Sequence, residues 1–115
     1  MAEAVLVARI LAFLEALGVL AWRQNSGVAK RGGYRIKLAP VGTPDIVGAL
    51  RSGRMFGIET KDQGARETGK KMRATKEAQE RWQRTASASG VLYAKVYTWE
   101  QFRQVWDEWT TKEAA

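Results

Sequence analysis

Apolar positions in this chain recur at two different periods, and the switches between them divide it into elements. Leu6, Ile10, Phe13, Leu14 and Leu17 share one helical stripe, and Gly18 is placed to end that helix. Val19 to Arg23 then reads as a short strand, left by the polar turn Gln24-Asn25-Ser26-Gly27. A basic, glycine-containing loop follows from Gly27 and runs into a strand from Tyr34 to Leu38. Two dense apolar runs come next, Ile46-Val47-Gly48-Ala49-Leu50 and Met55-Phe56-Gly57-Ile58, separated by Arg51-Ser52-Gly53, which is a hairpin signal. Thr75 is placed to cap a helix reaching about Ser89, with Gln79, Trp82 and Ala86 on one face and Gly90 ending it. Val91 to Tyr97 reads as a strand from its aromatic and β-branched content. Thr98, with Gln101 three residues on, forms a capping-box pattern for a last helix. The order helix, strands, helix, strand, helix predicts one α/β domain over residues 1–115, with a mixed central sheet and helices on both sides.

The hairpin register decides what its ends bring together. A strict two-residue loop at Ser52-Gly53 would pair Asp45 with Thr60 and turn it away from Glu59 and Lys61, because side chains alternate along a strand. A three-residue Arg51-Ser52-Gly53 loop, with Gly53 left-handed, instead pairs Leu50 with Arg54 and sets Asp45 opposite Glu59. Two carboxylates and an ammonium then share one face at the ends of apolar strands. That grouping suits phosphodiester hydrolysis, since carboxylate oxygens are ligands for Mg²⁺ or Mn²⁺ and Lys61 is placed to orient the attacking water. The bland alternative is that Asp45 caps a strand and Glu59 and Lys61 form a solvated edge pair.

Composition narrows the chemistry. The chain holds no cysteine and no histidine, so thiolate and imidazole ligands and histidine bases are excluded. A metal site must be built from oxygen, with Asp45, Glu59 and the Thr60 carbonyl as the expected ligands, and should prefer Mg²⁺ or Mn²⁺ to Zn²⁺ or Ca²⁺. Nineteen Lys and Arg against twelve Asp and Glu give a net charge of +7, which points to a polyanion and favours nucleic acid over anionic membrane. The apolar opening lacks a basic start and carries Glu3, Arg9 and Glu15, so it reads as a core helix rather than an export signal or membrane span, and a cytoplasmic location is expected.

The Gly42-Thr43-Pro44-Asp45 turn, the Gly57-Ile58-Glu59-Thr60-Lys61 strand and Gln79-Glu80-Arg81-Trp82 resemble the VRR-NUC family of the PD-(D/E)xK nuclease superfamily. The resemblance runs from the first helix to about Tyr97. It implies a restriction-endonuclease-like core, a Mg²⁺-dependent endonuclease, and a homodimer that cuts branched DNA such as four-way junctions. It also implies a metal-associated glutamate at the start of the first helix, which is Glu3, and an active-site glutamine, which is Gln79. Two plainer readings stay open: Glu3 as an ordinary first-turn glutamate, and Gln79 as a buried amide bonded to backbone. Glu15 is the second candidate for the additional acid.

Candidate DNA contacts are Arg23 and Asn25, Lys30 and Arg31 in the basic loop, and Lys70, Lys71 and Arg73 in the polar segment Asp62 to Thr75. That segment is expected to be a loop that orders on nucleic acid, or else solvated surface. Trp99, Phe102, Trp106 and Trp109 supply more aromatic surface than a helix of this size needs, so part of this face is expected to cover a partner subunit. The function classes left are a DNA endonuclease, a catalytically silent DNA-binding module, a monomeric nicking or flap nuclease, and an RNA-directed nuclease.

Overall fold

The computed structural model describes residues 2–62 and 69–114. In chain order these form α1 (Glu3–Ala16), β1 (Leu20–Arg23), β2 (Val28–Arg31), β3 (Tyr34–Lys37), β4 (Ile46–Ala49), β5 (Met55–Thr60), α2 (Lys70–Ala88), β6 (Leu92–Val96) and α3 (Trp99–Ala114). Strands β1-β4-β5-β6 make a four-stranded sheet, antiparallel except for the β5–β6 pair, which is parallel and joined through α2. The expected mixed sheet with helices on both sides is therefore present. None of the described helices is long and apolar enough to cross a membrane.

Alternation along β5 separates the two faces. Phe56 and Ile58 point into a core shared with Leu6, Ile10 and Leu14 of α1, Ile46, Val96, and Phe102, Trp106 and Trp109 of α3. Ring contacts knit this layer, with Phe13 edge-on to Phe102 at 5.6 Å and Phe56 edge-on to Trp106 at 5.6 Å. The aromatic stripe of α3 is consequently filled by the chain itself: Phe102, Trp106 and Trp109 are all buried. This corrects the expectation that the stripe covers a partner subunit. Its surplus of rings is absorbed by Phe13 and Phe56, two aromatics from other elements.

On the opposite face Gly57 lets α2 approach. A Cβ there would stand 2.7 Å from Pro44 Cγ and 3.1 Å from the Trp82 ring. Gly42, at φ +97°, meets the α2 backbone so closely that a Cβ would collide with the Ala78 carbonyl. The Gly42-Thr43-Pro44 turn, braced by the Thr43 hydroxyl donating to the Pro40 carbonyl at 2.7 Å, is thus the seat of α2.

Two boundaries differ from the sequence reading. The basic loop after Gly27 is a regular two-stranded hairpin, β2–β3, turned by Gly32 and Gly33, both at positive φ. That pair is what a two-residue hairpin turn demands, and charge masked the strand propensity of its arms. Helix α2 begins at Lys70 rather than Thr75, because Lys, Met, Arg and Ala in its first turns are good helix formers although no apolar period marks them. Of the expected loop Asp62 to Thr75, residues 63–68 lie outside the described residues, as does the side chain of Lys71. The last helix has its cap, with Gln101 N–H donating to Thr98 Oγ1, but the Gln101 amide oxygen accepts from Tyr97 N–H rather than from Thr98.

The close approach of α2 to Gly57 gives a stability test. Gly57→Ala should cost about 2 kcal/mol through overpacking and lower the melting temperature by roughly 10 °C. An unchanged melting temperature would mean that Pro44 and Trp82 are not held against the strand.

Candidate functional site

The β4–β5 hairpin carries the register on which the site depends. Leu50 N–H donates to Arg54 O at 2.9 Å, Gly53 N–H donates to Leu50 O at 2.9 Å, and Gly53 has φ +91°. Ile46 pairs with Ile58 and Val47 with Gly57, so one further step sets Asp45 against Glu59. The three-residue loop anticipated from the sequence is the one formed.

Asp45 lies just before the first β4 residue, Ile46, and takes over as the hydrogen-bond partner of β5. Its Oδ2 accepts from the Thr60 backbone N–H at 2.9 Å and from the Thr60 hydroxyl at 2.8 Å. Two donors on one oxygen fix the carboxylate plane. In an extended strand the N–H and C=O of one residue point to the same edge, so the Thr60 carbonyl is directed toward the Asp45 side as well. On the other edge Lys61 N–H continues the parallel ladder to Val96 O at 3.0 Å, which anchors the end of β5.

Helix α1 supplies the third acid. Oxygens of Glu3, Asp45 and Glu59 lie within 4.8 Å of one another. Glu15 is exposed and sits twelve positions further along α1, roughly 18 Å by helical rise, so Glu3 is the glutamate that joins the cluster.

Electrostatics show how unfavourable this grouping is for bare carboxylates. Glu59 is 4% exposed, and its pKa is pushed up to about 9. Burial is the largest cause, followed by a hydrogen bond to Asp45 and the charges of Asp45 and Glu3, with Lys61 opposing them. Glu3 is raised too, first by burial and then by Asp45, and again Lys61 offsets part of it. The ammonium therefore stands close enough to act on both glutamates. Near neutral pH and without a cation, Glu59 keeps a proton and shares it with Asp45.

Gln79 is buried on α2, and its backbone lies against Gly42. Helix α2 runs antiparallel to β5, since it returns the chain to a parallel neighbour. With Trp82 over Gly57, stepping back three residues from Trp82 to Gln79, a rise of about 4.5 Å, runs in the same direction as the two-residue step of about 6.6 Å from Gly57 to Glu59. Gln79 therefore belongs to the layer above Glu59. Tyr93 is a residue that sequence reasoning missed. It pairs with Gly57 in the parallel register, contacts Trp82 at 6.0 Å between ring centroids, and has its pKa raised by burial and then by Glu59 and Asp45. A phenol held protonated beside carboxylates is a hydrogen-bond donor. The β5–β6 register reveals it, and no spacing in the sequence does.

Among the candidate DNA contacts, Arg23 and Asn25 are exposed and flank Gln24, whose N–H donates to the Asp45 carbonyl at 2.7 Å. Lys30 and Arg31 are exposed on β2, and Lys70 and Arg73 are exposed in the first turns of α2. The nine residues from Lys70 to Gln79 carry α2 roughly 13 Å past the level of Glu59. Cationic side chains thus flank the end of the sheet where the carboxylates meet. Compared with protein-family models, with curated proteins and with solved structures, the chain matches none.

The shifted glutamates set a pH dependence. A carboxyl whose folded pKa lies above its unfolded value of 4.5 stabilises the fold fully below that value, and the contribution is lost as pH rises toward about 9. In chelator, the melting temperature should therefore fall steadily from pH 5 to pH 9, and Glu59→Gln should remove most of that slope. A profile that is flat or rises over this range contradicts the arrangement.

Proposed function

We propose that this chain is a Mg²⁺- or Mn²⁺-dependent DNA endonuclease of the VRR-NUC type, within the PD-(D/E)xK superfamily. The observation that carries the reading is the convergence of Glu3, Asp45 and Glu59 within 4.8 Å, with Lys61 acting on two of them, at the end of two apolar strands. The donor set fits a hard divalent cation: three carboxylates and a strand carbonyl, all oxygen. Burial adds to the fit, because a carboxyl as enclosed as Glu59 is uncharged near neutral pH unless a cation meets it.

Asp45, Glu59, Glu3 and the Thr60 carbonyl would hold the ion. When bound, Mg²⁺ or Mn²⁺ supplies Lewis acidity toward a phosphate oxygen and lowers the pKa of coordinated water. The chain's own residues do the remaining work. Thr60 fixes the Asp45 carboxylate through Oδ2. Lys61 shares the strand face of Glu59 and would orient the attacking water and offset charge building on the phosphate. Gln79 and Tyr93, on the α2 side of the sheet, would donate hydrogen bonds to water or phosphate. Arg23, Lys30, Arg31, Lys70 and Arg73 would hold the DNA backbone without reading its sequence.

A silent DNA-binding module would gain nothing from this cluster. Each carboxylate near a phosphate repels it by about 1 kcal/mol or more, depending on how far water is excluded. Cutting two strands symmetrically, as at a four-way junction, requires a pair of sites and hence a homodimer. With the α3 stripe filled internally, such a dimer must use another surface. A chain that stays monomeric on DNA by light scattering would instead nick or trim flaps.

Asp45→Asn tests the assignment. The amide keeps an acceptor for Thr60, so the variant should fold, and in chelator its melting temperature should hold or rise because one repulsive charge is gone. Cleavage of junction, flap and duplex DNA in Mg²⁺ should drop at least about a hundredfold, while metal-free binding holds or tightens. Calcium should support binding of the wild-type chain without cutting. A destabilised variant that still cuts, or strong wild-type activity in chelator, contradicts the proposal.

A further inference from the structure

The β2–β3 hairpin contributes nothing to the hydrophobic core. Among the described residues its strands pair only with each other, and every residue in them except Ala29 is exposed. Both of its roots lie at the candidate site: the chain leaves β1 through Gln24, bonded to the Asp45 carbonyl, and returns through Gly42-Thr43-Pro44 to Asp45 itself. Between Glu15 and Asp45 the sequence holds Arg23, Lys30, Arg31, Arg35 and Lys37 and not one carboxylate.

The register sorts these side chains. Val28 pairs with Lys37 and Lys30 with Arg35, and alternation puts these four on one face of the ribbon. Ala29, Ile36, Arg31 and Tyr34 occupy the other. Setting Lys30 directly across from Arg35 is unfavourable in isolation, since like charges opposed on one sheet face repel. An anion laid on that face relieves the repulsion, and the three cations clustered there, Lys30 across from Arg35 with Lys37 two residues along, suit the charged backbone of a nucleic-acid strand. At the tip, next to the Gly32-Gly33 turn, Tyr34 is 77% exposed with Arg31 as its cross-strand neighbour. An exposed ring beside the turn offers a stacking platform, which paired bases inside a duplex cannot use and unpaired bases can.

We propose that the β2–β3 hairpin is a DNA-gripping arm that selects the substrate: its Lys30–Arg35–Lys37 face tracks a phosphate strand while Tyr34 stacks on an unpaired base. The substrate class is then duplex DNA adjoining unpaired bases, as at a flap, gap or branch point. This rests on the DNA-nuclease reading above and adds the determinant of structure selectivity to it.

Fluorescence anisotropy in chelator, over a range of salt, on blunt duplex, on the same duplex carrying a single-stranded flap, and on single strand tests the arm. Neutralising its face by Lys30→Gln, Arg35→Gln and Lys37→Gln together should weaken binding to all three probes and flatten the slope of log affinity against log salt by about two to three. Tyr34→Ala should weaken flap binding about tenfold and shift blunt-duplex binding by less than about twofold, with Tyr34→Phe retaining wild-type flap affinity. Melting curves confirm that each variant is folded. Variants that bind every probe as tightly as wild type overturn the arm and leave the nuclease reading standing, and so does equal weakening of flap and duplex by Tyr34→Ala for the stacking tip. A wild-type chain that binds through the arm yet cuts neither these probes nor a four-way junction in Mg²⁺ overturns the nuclease reading and supports the arm alone. A wild-type chain that binds none of them overturns the arm.

Discussion

A buried carboxyl beside two others is the constraint that shapes this molecule. Two unit charges 4 Å apart repel by about 4 kcal/mol at an effective dielectric near 20, and Glu59 meets Asp45 and Glu3 in surroundings that also withhold water. Protonation of Glu59 is one escape. A divalent cation is the other, and it converts the same repulsion into binding energy. Lys61 alone does not suffice, since Glu59 remains far above its ordinary range with that ammonium already acting on it.

The rest of the fold can be read as what holds the three acids in place. Gly53 sets the hairpin register that puts Asp45 across from Glu59, and Thr60 locks the Asp45 carboxylate by two hydrogen bonds. The α1 stripe, packed on Ile46, Ile58 and α3, delivers Glu3 to the end of the same strands. On the other face, Gly42 and Gly57 admit α2 so closely that Trp82 covers Gly57 and Gln79 comes over the level of Glu59. Exposed basic side chains lie on the first turns of α2 and on the β2–β3 ribbon, whose root at Gln24 bonds to the Asp45 carbonyl.

Local signals made much of this legible in the sequence. The hairpin register followed from one glycine and the need to keep Asp45 and Glu59 on one face, and the helix stripes and caps at Gly18, Gly90 and Thr98 followed from spacing. Tertiary relations were not legible. Strand β2 was hidden because Lys30 and Arg31 carry charge without apolar alternation, and only the turn chemistry of Gly32-Gly33 gives the ribbon away. The start of α2 was hidden because its first turns bury little, so no period marks them. Tyr93 reaches the site through the parallel β5–β6 register, which is set by a crossover and not by any neighbouring residue. The α3 rings pointed outward to a partner only until Phe13 and Phe56 were found facing them.

If Glu3, Asp45 and Glu59 together hold one divalent cation, calorimetric titration with Mn²⁺ in two buffers of different ionisation enthalpy will reveal it. Because Glu59 keeps a proton at pH 7 until a cation arrives, binding must release about one proton per site, and the release should fade as pH approaches 9. Glu59→Gln should abolish the release and weaken the binding. Mn²⁺ binding with no proton release at pH 7, or no binding at all, would mean that the three acids do not form a cation site.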